Sequence, residues 1–139
     1  MFTLKARLGT IIAAALVATV FALPASPAMA SATSCQQRGT FPLNTCVHVD
    51  GSGRHINFMR GSVFNSGSRS RPNIHIQLIR PAGTTIKNCT QRTIPPGGTI
   101  NCTWSPNAIK PAGRYCVNSW QLVSGAFVLR GHACVNVHA

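Results

Sequence analysis

The stretch 113-GRYCVNSWQLVSGAFVLRGHACVNV-137 decides the fold. Tyr115 and Val117 alternate with Cys116, Asn118 and Trp120. Further on, Phe127, Leu129, Ala133, Val135 and Val137 share one parity, and Arg130, His132, Cys134, Asn136 and His138 share the other. A period of two is that of a strand with one buried face. Ser124 and Gly125, between the two runs, supply turn chemistry. A hairpin centred on Gly125 sets Cys116 opposite Cys134 and Tyr115 opposite Val135. The cysteines and the apolar rows select the same register, so each supports the other.

The same reasoning extends to the other four cysteines. In a symmetric hairpin, the midpoint of two facing residues falls at the turn. The midpoint of Cys89 and Cys102 lies between Pro95 and Pro96, inside a Pro-Pro-Gly-Gly run. The midpoint of Cys35 and Cys46 lies at Thr40 and Phe41, between Gly39 and Pro42. The expected bridges are therefore Cys35–Cys46, Cys89–Cys102 and Cys116–Cys134. Each closes a short loop and contributes about 3 kcal/mol on the loop-entropy argument. No C-x₂-C pair occurs, which speaks against zinc, and no metal or cofactor motif is found.

Short apolar stretches recur between Gly, Pro, Asn and Ser clusters along the rest of the chain. That pattern marks an all-β domain. Seven strands are expected: Thr45–Asp50, His55–Phe64, Asn73–Ile79, Thr85–Thr90, Thr99–Ser105, Gly113–Leu122 and Phe127–Val137. Asn-Cys-Thr occurs at Asn88–Thr90 and again at Asn101–Thr103, on what read as two arms of one hairpin. Seven short antiparallel strands of this length suggest a two-sheet sandwich.

The N-terminal residues follow another logic. Lys5 and Arg7 precede an uncharged run from Leu8 to Leu23, and Ala28-Met29-Ala30 fits the small-residue cleavage pattern. The run is shorter than the roughly 20 residues a spanning helix needs. Residues 1–30 are expected to be a cleaved signal peptide, with no transmembrane helix in the mature chain. Residues 31–139 are expected to form one exported, disulfide-stapled domain.

Charge restricts function. The chain holds 13 Lys plus Arg and one acid, Asp50. Without Lys5 and Arg7, eleven cations face that one acid, a net charge of +10. Paired-carboxylate catalysis is excluded, and no G-x-S-x-G elbow is present. An even cysteine count argues against a catalytic thiol. The reading is non-enzymatic. The densest basic stretch holds Arg54, Arg60, Arg69, Arg71 and Arg80 and no acid. Arginine's planar fork suits phosphate and carboxylate. The expected partner is an anionic polymer or surface, such as the cell envelope, with an antimicrobial role as a variant. Export argues against genomic nucleic acid as a partner.

Two resemblances bear on this reading. Pro111-Ala-Gly-Arg-Tyr-Cys116 resembles the start of the sixth strand of immunoglobulin-like domains, where Tyr precedes Cys by two positions; here they are adjacent. The overall layout resembles small exported proteins of high-GC Gram-positive bacteria. Cys89-Thr-Gln-Arg-Thr-Ile-Pro-Pro96 resembles the reactive loop of Bowman–Birk protease inhibitors, Cys-Thr-Lys-Ser-Ile-Pro-Pro. That likeness implies a reactive bond at Arg92–Thr93, with Arg92 in the pocket of a trypsin-like protease. A third reading is a carrier with a small ligand between the sheets.

Overall fold

A computed structural model describes residues 31–139; the expected signal peptide, residues 1–30, lies outside the described residues. The described chain is all-β, with ten strands where seven are expected. They are β1 (Ala32–Gln37), β2 (Leu43–Ser52), β3 (His55–Asn65), β4 (Arg71–Ile79), β5 (Thr85–Asn88), β6 (Arg92–Ile94), β7 (Thr99–Trp104), β8 (Ala108–Ile109), β9 (Gly113–Val123) and β10 (Ala126–Val137). The three additional strands carry little sequence signal. β1 is polar and mostly exposed, and β6 and β8 span three and two residues.

Two antiparallel sheets form. One has the order β1-β2-β3-β7, with β8 also on β3; the other has β10-β9-β4-β5, with β6 also on β4. The chain changes sheet between β3 and β4, β6 and β7, and β8 and β9. Strands β2, β3 and β7 thus occupy the A, B and E places of an immunoglobulin-like sandwich, and β4, β9 and β10 the C, F and G places. Tyr115, buried at the start of β9, donates its hydroxyl to the Pro111 carbonyl at 2.8 Å. This is the tyrosine-corner bond of that architecture.

The core lies between the sheets. Leu43, Val47, Val49, Ile56, Met59 and Val63 meet Ile74, Ile76, Leu78, Val117, Ala133 and Val137. Gly61 keeps the sheets close, because a Cβ there would strike Ile76 and Val117. These side chains occupy the space that a carried ligand would need between the sheets.

The three bridges join the expected cysteines. Cys35 faces Cys46 across β1 and β2, and Cys116 faces Cys134 across β9 and β10. Both alternate with core residues and so lie on outer faces. The third bridge differs from the expected hairpin bridge. Cys89 follows β5 in one sheet, while Cys102 is buried in β7 of the other. The segment between them forms β6 against β4 before it changes sheet. The two Asn-Cys-Thr segments are therefore not arms of one hairpin.

The β9–β10 hairpin holds Cys116 opposite Cys134 and Tyr115 opposite Val135, as the sequence predicts. Its tip does not follow the same register. Ser124 and Gly125 both have positive φ, 50° and 81°, which makes a two-residue turn of the type suited to twisted hairpins. A bulge then falls between Leu129 and Gly131. Beyond it the parity reverses, so Phe127 and Leu129 leave the row of Ala133 and Val135. Phe127 is 51% exposed. The expectation of one continuous apolar row is corrected on this point.

Gly131 follows the bulge and is buried between Thr45 of β2 and Ser119 of β9, whose hydroxyls hydrogen-bond at 2.7 Å. A Cβ at Gly131 would overlap the Thr45 hydroxyl and press on Ser119. Gly131→Ala is expected to destabilise the domain by about 1–3 kcal/mol, as overpacking does. Denaturant unfolding monitored by tryptophan fluorescence measures this.

Candidate functional site

The hairpin return of the chain divides the predicted basic stretch. Arg54 sits in the β2–β3 turn, where its backbone carbonyl accepts from Lys110 N. Arg80 follows β4 at the same end of the sandwich, close enough to Tyr115 to oppose the rise that burial gives that phenol's pKa. Arg60 is mid-strand on the outer face of β3, with its guanidinium 5.2 Å from the Phe58 ring centre. Arg69 and Arg71 lie at the far end, in and after the β3–β4 loop. The five do not form one patch.

A different set converges. Phe41, in the β1–β2 loop, has the Arg71 guanidinium carbon 4.7 Å and the Arg130 guanidinium carbon 4.1 Å from its ring centre. Both distances suit cation–π attraction. Arg38 joins them by donating Nη1 to the Leu129 carbonyl at 2.9 Å. A surface cleft of about 570 Å³ is lined by Arg38, Phe41, Phe127, Val128, Leu129 and Arg130. Arg38 and Arg130 thus line one apolar-floored cleft, and Arg71 joins them through the Phe41 ring.

Two bulges bring Arg71 and Arg130 to Phe41. Arg130 is the extra residue of β10. Arg71 opens β4, where the register against β6 shifts between Arg71 and Ile74 and Asn73 takes a φ of 56°. Bulges re-aim side chains in this way. Gln121 links the two segments. Its Oε1 accepts from Arg130 Nε at 2.9 Å, and its Nε2 donates to the Pro72 carbonyl at 3.1 Å.

No carboxylate neutralises this group. Asp50 is the only Asp or Glu of the whole chain, and its oxygens take Ser31 Oγ and Asn57 Nδ2. Asp50 lies seven residues along β2 from Leu43, roughly 23 Å at strand spacing. Arg71 Nε is buried without an acceptor among the described residues. The cluster therefore holds positive charge with donor capacity unspent.

Asn65 holds the loop that carries Arg69 and leads to Arg71. It is fully buried at the end of β3. Its Nδ2 donates to the carbonyls of Arg69 and Ile94, and its Oδ1 accepts from Gly67 N. Its backbone bonds Gly97 and Gly98. One side chain thus ties the β3–β4 loop to the loop after β6.

The Arg92–Thr93 bond lies within β6. Arg92 is exposed and pairs with Ile74, while Ile94 is fully buried. Presenting this bond to a protease as an inhibitor loop would require Ile94 to leave the core. Of the aromatic residues, Tyr115 is core, while Trp104 and Trp120 are half-buried. Trp120 Nε1 donates to Gln77 Oε1 at 2.9 Å. Cys116, His132 and Cys134 lie together on the outer face, but both sulfurs are committed to the disulfide.

His75 packs edge-on against Phe127, with ring centres 4.9 Å apart, and its Nδ1 is buried without a partner among the described residues. Burial pushes its pKa below the usual imidazole value.

The sequence offers little sign of this cluster, since 91 residues separate Arg38 from Leu129. The one local hint is Gly131 beside Arg130, a glycine inside a strand. No protein-family model matches the chain, and no curated protein is significantly similar to it.

Two outcomes follow from these contacts. Asn65→Ala removes three side-chain hydrogen bonds and leaves buried groups unpaired. It should cost about 2–4 kcal/mol, and limited trypsin digestion should then cut first at Arg69. His75 favours its neutral form when folded. Its contribution is complete above pH 6.5 and is lost as pH falls from 6.5 through the lower folded value. Stability against pH should therefore decline on that acid limb, and His75→Gln should flatten it.

Proposed function

We propose that this is an exported, non-enzymatic binding protein that engages an anionic surface or polymer through Arg38, Arg71 and Arg130. The observation that carries the reading is the gathering of three arginines around Phe41 with no acid beside them. Like charges held together cost stability unless an external anion offsets them. Guanidinium groups also match the oxygen geometry of phosphate and carboxylate. The paired disulfides and the signal-peptide pattern support a role outside the cytoplasm.

This reading keeps the anionic partner expected from composition but moves its centre. Arg71 stays in the site. Arg54, Arg60 and Arg80 become dispersed charge that adds long-range attraction and little specificity.

Two triple variants separate a built site from bulk charge, because each removes the same charge. Arg38→Gln with Arg71→Gln and Arg130→Gln should weaken heparin binding at least about tenfold, given the strength of charged hydrogen bonds. Arg54→Gln with Arg60→Gln and Arg80→Gln should weaken it much less. Affinity measured across a salt series decides the matter. Equal losses in the two variants would falsify the site and leave only generic attraction.

A further inference from the structure

The β9–β10 hairpin tip carries apolar groups on both faces. Val123 is 39% exposed, Phe127 51% and Val128 37%. Facing residues of a hairpin share a face. Val123 opposite Ala126 and Val128 opposite Gln121 define one; Leu122 opposite Phe127 defines the other. From Gln121 to Leu129 there is no charged residue. A strand that borders water on one side normally turns polar residues to it. This tip does so on neither side.

The charge begins where the apolar tip ends. Arg130 is the next residue, Arg38 bonds the Leu129 carbonyl, and Arg71 shares Phe41 with Arg130. The cleft between Arg38 and Arg130 is floored by Phe127, Val128 and Leu129. An uncharged tip backed by an arginine collar matches one chemistry, that of an anionic lipid layer. Phosphate lies at the surface and hydrocarbon beneath it. A soluble polyanion satisfies the collar but leaves the tip in water.

We infer that the protein docks on anionic lipid bilayers by inserting the tip formed by Leu122, Val123, Phe127 and Val128, with Arg38, Arg71 and Arg130 on the lipid phosphates. The inference rests on the arginine cluster being an anion site, and it names the source of that anion.

Co-sedimentation of the domain with vesicles tests it. Phosphatidylcholine vesicles should bind weakly, and vesicles also containing phosphatidylglycerol strongly. Val123→Asn with Ala126→Asn, both outside the cleft, should lower affinity for the mixed vesicles about fivefold or more while heparin retention is kept. The indole introduced by Phe127→Trp should be quenched by lipids brominated along the acyl chain. Arg38→Gln with Arg130→Gln should lower vesicle affinity about fivefold per charge.

Retention on heparin without binding to mixed vesicles overturns the lipid assignment and leaves the anion site standing. Vesicle binding that ignores the tip substitutions, together with an unquenched indole in the Phe127→Trp variant, overturns insertion alone. Failure to bind either probe overturns both readings.

Discussion

Arg130 is one residue more than its hairpin needs. Trp120 faces Leu129 and Ser119 faces Gly131, so Arg130 has no partner across the ladder. Several other features depend on that unpaired position. It turns Phe127 and Leu129 away from the core. It also brings a guanidinium to Phe41. Without the bulge, the strand would keep one parity to its tip, and the arginine would stay on the outer face beside His132.

The domain carries much positive charge for its size, and the fold distributes the cost unevenly. Most arginines are exposed on separate strands and turns, where water and salt screen them. Around Phe41 the chain does the reverse. It gathers three and holds two against an aromatic ring, with the Leu129 carbonyl on Arg38 and Gln121 on Arg130 in place of carboxylates. Neutral acceptors fix the geometry of a guanidinium without cancelling its charge. That arrangement orients the cations and leaves their field directed outward.

Much of the sandwich is legible in the sequence because its cues are local. Alternation in β4, β9 and β10 marks strands, and turn residues between cysteines mark the bridges. Other features depend on the partner segment. The bulge at Arg130 has no counterpart in the alternation of the segment, and Gly131 beside it packs on Thr45, which lies far away in the chain. The hairpin argument pairs Cys89 with Cys102 correctly, although the chain between them changes sheet. The arginine cluster is the least visible part. Its members come from the β1–β2 loop, the start of β4 and the middle of β10. Their nearness is a property of the sandwich and of no sequence window. Density of charge along the chain points instead to Arg54–Arg80, which the β3–β4 return spreads over both ends.

The three bridges fasten the sandwich at different levels. Cys35–Cys46 and Cys116–Cys134 each lie within one hairpin and tie neighbouring strands of a single sheet. Cys89–Cys102 joins the segment after β5 in one sheet to β7 in the other, with Cys102 buried. Among the described residues it is the one disulfide that clasps sheet to sheet. Cutting either hairpin bridge leaves that clasp in place, whereas cutting Cys89–Cys102 leaves the two layers held by core packing and the connecting loops.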